Sequence, residues 1–155
     1  MDKKILDFLS RVKERFPDNF TDARVLEMGS KDVNGTPREL FTDCTYIGVD
    51  VIGGDGVDFV GKAHEYKDGL FDTVISTEML EHDEYAEMSM KNAKDRLRNG
   101  GLLVVTAAGI GRKKHYGVFP TETYYKNISR EFVTDIFPEA EIEEDSGEIR
   151  FIWIK

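Results

Sequence analysis

"VLEMGSKDVNGTPRELF", Val25 to Phe41, starts as an apolar run, breaks at Gly29, crosses small and polar residues to Gly35 and then resumes a helix-compatible pattern. A strand handing over to a helix through such a turn is the opening unit of a doubly wound α/β sheet. Ligands of these sheets bind beyond the carboxyl ends of the strands, where the strand order reverses. Gly29 falls at that point, and a residue without a side chain lets backbone and ligand approach closely. Asp50 ends the next apolar run, "TYIGVDV", a little over twenty residues beyond Glu27. That is the place of an acid that accepts hydrogen bonds from a ribose diol. An adenosine-type cofactor is therefore the expected ligand.

Outward from this turn, the pattern alternates. "ARVLEM" reads as a strand and "TPRELF" as the start of a helix, with Thr36 as N-cap and Pro37 in the first helical position. "VDFVG" reads as a short third strand and "FDTVISTE" as a fourth. Then comes a helix presenting Ala86, Met90, Ala93 and Leu97, closed by Asn99-Gly100-Gly101. "LLVVTAA" is a fifth strand, Ser129 caps a helix over "REFVTDIF", and "AEIEED" and "EIRFIWIK" form a hairpin about Ser146-Gly147. Ahead of all this, Leu6, Phe8, Leu9, Val12 and Phe16 recur at helical spacing up to Pro17. This leading helix is expected on the sheet edge or over the ligand. The architecture that follows is a Rossmann-like, doubly wound, mostly parallel seven-stranded sheet with helices on both faces and a C-terminal antiparallel hairpin. One domain over 1–155 is expected, with 1–17 as its first helix and 109–128 as a substrate loop.

Composition narrows the partners. The formal charge of -9 argues against an extended nucleic-acid footprint, since phosphates are held by Lys and Arg. "GLLVVTAAGI" is half of a membrane span and the first residues are charged throughout, so a cytoplasmic protein without membrane contact is expected. Cys44 is the single cysteine, and His64, His82 and His115 are scattered without metal-ligand spacing. No metal is expected.

Glu27 bears on which adenosine cofactor binds. A carboxylate there would repel the pyrophosphate of NAD or FAD and attract the sulfonium and ammonium groups of S-adenosylmethionine, and "GSKDVNG" lacks the closely spaced glycines a pyrophosphate requires. With "VLEMGSKDVNG" at the first turn and "STEMLEHD" after the fourth strand, the chain resembles the class I S-adenosylmethionine-dependent methyltransferases from about Val25 to the hairpin. The resemblance implies that Glu27, Met28, Gly29 and Ser30 lie by the methionine portion. It further implies that Asp50 and Val51 hold the ribose, that Gly61, Lys62 and Ala63 flank the adenine, and that Thr77, Glu78 and Met79 line the methionine end. Two departures stand out. Lys31 and Val33 occupy positions where the commonest turn has glycines, and Lys62 stands where an acid usually bonds the adenine amino group.

Methyl transfer is a displacement at carbon, so alignment in a water-poor cleft supplies much of the rate. A hydroxyl acceptor must lose a proton, for which His82 is the first candidate base and His115 the second. Neither an Asn-Pro-Pro-Tyr-type sequence nor a Pro-Cys pair is present, which disfavours adenine-amine and covalent cytosine chemistry. Arg112, Lys113, Tyr116, Tyr124 and Tyr125 are the candidate acceptor-binding residues, a mixture suited to a small molecule carrying phosphate, carboxylate or a sugar. Two other readings stand beside methyl transfer: a dinucleotide or sugar-nucleotide enzyme on a similar sheet, and a noncatalytic nucleoside-binding module.

Overall fold

A computed structural model describes residues 1–115 and 123–155. Strands β1 (Arg24–Met28), β2 (Thr45–Asp50), β3 (Phe59–Val60), β4 (Phe71–Thr77), β5 (Leu97–Ala108), β6 (Glu141–Asp145) and β7 (Glu148–Ile154) form one seven-stranded sheet in the order β3-β2-β1-β4-β5-β7-β6. All pairs up to β5 are parallel, and β7 runs antiparallel to both β5 and β6. Chain order therefore reverses between β1 and β4, and the carboxyl ends of these two strands frame a crevice.

Side chains alternate across each strand, which sorts the core into two layers. Val25, Ile75, Leu102, Val104 and Ile152 face helix α1 (Lys3–Arg15), which buries Ile5, Phe8, Leu9 and Val12 against them. Four such side chains contribute on the order of 1.5–3 kcal/mol each before ordering costs. Asp2 caps α1 by accepting from the Lys4 N–H at 2.7 Å, and Pro17 stops it. The helix thus lies across the sheet face rather than along an edge, and its stripe is Ile5, Phe8, Leu9 and Val12, with Leu6 exposed. On the other face, Leu26, Val74, Leu103, Val105 and Phe151 meet α2 (Ala86–Arg96) and α3 (Arg130–Ile136).

Two local expectations change. The helix expected from Thr36 is one 3-10 turn, Pro37–Leu40, although Thr36 Oγ1 does accept from the Arg38 N–H at 3.1 Å. Helix α1 already covers this face, the Lys13 ammonium bonds the Leu40 carbonyl, and Leu40 and Phe41 pack beside it. Helix α2 stops at Arg96, so Leu97 begins β5 and Gly100 turns at φ +81 within the strand's irregular lead-in. The hairpin turn has positive φ at both Ser146 and Gly147, as a tight two-residue reversal with right-handed strand twist requires. Among the described residues, no helix is long and apolar enough to cross a membrane.

Candidate active site

Alternation along β1 places Glu27 on the α1 face, one step beyond Val25, at the strand end where α1 begins. A cavity of about 960 Å³ opens there, lined by Glu27, Gly29, Asp50, Val51, Gly61, Lys62, Ala63, Thr77, Glu78, Met79, His82 and His115, with Met1, Asp2 and Ile5 of the leading segment on one side. This is the upper end of the size expected of a small-molecule site, roughly 300–1,000 Å³.

Backbone bonds shape the donor end. Gly29 and Ser30 N–H both donate to the Val49 carbonyl, at 2.8 and 3.1 Å. Gly29 sits at φ +82, and a Cβ there would stand 2.6 Å from Cβ and Cγ of Met79, so bare backbone at this point lets the turns after β1 and β4 touch. Asp50 accepts from the Lys31 N–H at 3.1 Å and the Ile52 N–H at 3.0 Å. Its oxygens retain lone pairs for a diol.

Glu27 is 2% exposed and accepts from the Tyr46 hydroxyl at 2.9 Å. Burial pushes its carboxyl up to about 8, while Tyr46 and the Arg38 charge pull it back and Asp50 and Asp32 add to the rise. In the empty cavity at neutral pH it is therefore mostly protonated. The expected attraction of a standing anion for a cationic donor becomes a cation that ionises the acid as it binds. A pyrophosphate would gain nothing from that step.

Met28 and Ser30, expected at the cofactor, do not line the cavity. Met28 is fully buried on the opposite face, packed with α2. Ser30 is buried behind the wall, in space left by Gly48, where a Cβ would lie 2.5 Å from the Ser30 hydroxyl. Lys62, the departure at the adenine position, points its ammonium over the Tyr85 ring at 4.2 Å.

The acceptor end is built by β4 and the segment after β5. Glu78 holds φ +53, an uncommon conformation for a residue with a side chain, and its carboxylate accepts from Thr106 Oγ1 at 3.0 Å and Arg112 Nη1 at 2.6 Å. Strained backbone of this kind collects at functional sites. The Lys126 N–H donates to the Glu81 carbonyl at 2.8 Å, tying Lys126 to the turn after β4, and Asn127 Nδ2 donates to the Arg112 carbonyl at 3.0 Å. The hairpin buttresses it, since a Cβ at Gly147 would come within 2.9 Å of the Arg112 nitrogen.

His82 and His115, 33 positions apart, come together with Nε2 atoms 3.2 Å apart, and the Tyr125 ring lies 5.5 and 4.9 Å from their centroids. Burial foremost, then the neighbouring His115 and Arg112 charges, holds His82 below the usual imidazole range. A mostly neutral ring can accept a proton or ligate a metal. Arg112 and Tyr124 line the cavity; Lys113 does not, and offers its carbonyl to the Tyr125 hydroxyl at 3.4 Å. Tyr116 lies outside the described residues.

The fold is shared by solved proteins. The sequence model of a methyltransferase domain matches residues 34–105. The chain superposes on the N-methyltransferase NodS of Bradyrhizobium japonicum WM9 with S-adenosylhomocysteine at a TM-score of 0.67, with 15% identity over 96% of this chain and 86% of that one. The chain has a Rossmann-like methyltransferase fold. It also superposes on the Burkholderia thailandensis 1,6-didemethyltoxoflavin N1-methyltransferase, with a TM-score of 0.66 and 14% identity over 95% of this chain and 76% of that one. For the Haemonchus contortus phosphoethanolamine N-methyltransferase 2 with S-adenosylmethionine, the values are 0.65 and 22%, over 88% of this chain but 38% of that longer one. No curated protein matches in sequence.

Two residues matter here in ways the sequence did not announce. Asn92, buried on α2, donates to the Ala63 and Tyr66 carbonyls at 2.9 and 2.8 Å and accepts from the Lys67 ammonium at 3.0 Å, holding the adenine-side loop in place. An amide residue on the buried face of a predicted helix was the available signal. Glu81 is fully buried, and neither carboxylate oxygen makes a hydrogen bond of good geometry, although the backbone of Ala108 lies close by. Burial first, then the Glu78 charge, pushes its carboxyl up to about 8.

Proposed function

We propose that this methyltransferase moves the methyl group of S-adenosylmethionine to a small-molecule hydroxyl or amine, with acceptors carrying phosphate, carboxylate or a sugar favoured. One observation carries the reading. One cavity at the β1–β4 crevice is lined by Glu27, Gly29 and Asp50 and also by His82, His115 and Arg112, which supports a donor and an acceptor sharing it. The acceptor's oxygen or nitrogen attacks the methyl carbon while the carbon–sulfur bond breaks, and the departing pair stays on sulfur as S-adenosylhomocysteine. A hydroxyl must also lose its proton, a step assigned to the histidine end. Bond-making is helped chiefly by alignment in a cleft bordered by Asp2 and Ile5 on one side and by Arg112, His115 and Tyr124 on the other. The solved relatives include N-methyltransferases of small molecules, which agrees with a compact acceptor. The net charge of -9 makes a long polyanion a poor one.

Calorimetric titration tests the reading. S-adenosylmethionine and S-adenosylhomocysteine are expected to bind and NAD is not, and Asp50→Ala should weaken the sulfur ligands by about 1.5–3 kcal/mol through lost charge-assisted hydrogen bonds. An NAD isotherm without heat from either sulfur ligand would replace methyl transfer with dinucleotide chemistry. An unchanged dissociation constant in Asp50→Ala would move the ribose elsewhere.

A further inference from the structure

Two histidines that the sequence keeps far apart meet at the acceptor end, next to a carboxylate left without a satisfying partner. We propose that Glu81, His82 and His115 bind a divalent transition cation there. One ligand atom from each residue falls within 4.8 Å of the other two. The imidazole pair is already spaced for an ion: two nitrogens each about 2.1 Å from a common centre stand roughly 3.0 Å apart in octahedral and roughly 3.4 Å apart in tetrahedral geometry. The observed Nε2–Nε2 separation of 3.2 Å lies between. Glu81 is the third side of the set, fully buried with both oxygens lacking good hydrogen bonds. A buried carboxyl in that condition either keeps its proton or takes a counter-charge. Arg112 does not supply it, because its guanidinium is bound to Glu78 at 2.6 Å and faces Glu148 at 3.7 Å. The second ring nitrogen of His82, Nδ1, is buried without a hydrogen bond of good geometry.

Two imidazoles and one carboxylate suit Mn²⁺, Co²⁺, Ni²⁺ or Zn²⁺ better than the oxygen-seeking Mg²⁺ or Ca²⁺. Both histidines line the cavity, so the ion keeps positions open toward it. The role of the ion rests on the methyl-transfer reading, although the site itself does not. An acceptor hydroxyl on the ion becomes more acidic and releases its proton to water. The resulting oxygen anion then attacks the methyl carbon, and the carbon–sulfur bond breaks with its pair left on sulfur. This gives the histidine end its means of removing the acceptor's proton.

The test titrates EDTA-treated full-length protein with Co²⁺ and follows the visible absorption of the bound ion. One Co²⁺ per chain is expected. Binding should weaken by roughly tenfold or more in His115→Ala and Glu81→Gln, with circular dichroism confirming that each variant is folded. His64→Ala, removing the one histidine outside the cluster, should bind as the parent does. No cobalt spectrum in the parent, or equal affinity in His115→Ala, would overturn the site and leave the pair as an N–H···N hydrogen bond. S-adenosylhomocysteine is titrated into the same samples. Heat from it without cobalt binding rejects the cation and keeps methyl transfer, whereas cobalt binding without that heat keeps the cation site and rejects methyl transfer.

Discussion

The turn after β1 changes direction on Gly29 at φ +82, and the turn after β4 does so on Glu78 at φ +53. They meet at the switch point, where bare Gly29 backbone accommodates Met79. Each carries a buried glutamic acid whose carboxyl is pushed up to about 8 by burial. Glu27 has a hydrogen bond from Tyr46 and faces the donor end of the cavity, whereas Glu81 lacks a good hydrogen bond and faces a histidine pair. Similar burial thus produces two different needs. On the proposed reading, the first acid answers a singly charged group that comes and goes with each turnover, and the second answers a bound dication.

The contact between the two turns gives the largest expected effect. Gly29→Ala forces a side chain into left-handed backbone and into Met79 at once. Strain and overpacking each cost about 1–3 kcal/mol, so a loss of roughly 2–5 kcal/mol is expected in denaturant unfolding. In Gly29→Ala with Met79→Gly, both clashing atoms are gone and the strain stays, so part of the loss should return when the pair is compared with Met79→Gly alone. A Gly29→Ala protein as stable as the parent would mean that the turns do not touch.

Donor-side elements were readable in the sequence because their signals are local. Strand alternation, the Thr36 and Ser129 caps, the Gly29 turn and the Ser146-Gly147 reversal depend on residues a few positions apart. Met28 shows where that reading stopped short. Period-two alternation already sets it on the face opposite Glu27, so the two could not both reach one cavity. The His82–His115 pair was beyond local pattern, since it depends on how the 109–128 segment is pinned back by Asn127 and Lys126. The helix after Thr36 failed for a long-range reason too, because α1 had taken its place on the sheet.

Glu27 sharpens the donor side through pH. Its carboxyl is mostly protonated below about 8 in the empty cavity, and a bound sulfonium favours the carboxylate. Donor binding then releases a proton. Affinity for S-adenosylmethionine should rise by up to about tenfold per pH unit toward pH 8 and level off above it. S-adenosylhomocysteine carries one positive charge fewer, so the preference for the methylated form should grow over the same window. Tyr46, Arg38, Asp50 and Asp32 also act on this carboxyl, and Glu27→Gln separates its share by flattening the rise. A preference that does not change with pH would remove Glu27 from contact with the sulfonium. Stability of the empty protein follows the opposite sign. Between the ordinary carboxyl range and about 8 the folded state binds more protons than the unfolded one, so this group takes stability away as pH rises.

The smallest effect separates the two acids most directly. In EDTA near neutral pH, Glu27→Leu leaves the Tyr46 hydroxyl buried without its acceptor, at a cost of about 1–3 kcal/mol. Glu81→Leu strands no hydrogen-bond donor of good geometry and removes a group that is costly to bury. Its expected effect lies between neutral and a gain of about 1 kcal/mol, the direction found when poorly compensated buried charges give way to apolar side chains. Denaturant unfolding of both variants against the parent reads the difference. Equal losses would mean that Glu81 has a protein partner as good as Tyr46, and the contrast between the two turns would fail. Adding Co²⁺ should then stabilise the parent more than Glu81→Leu, because an ion that binds only the folded state raises stability with the logarithm of its concentration relative to the dissociation constant.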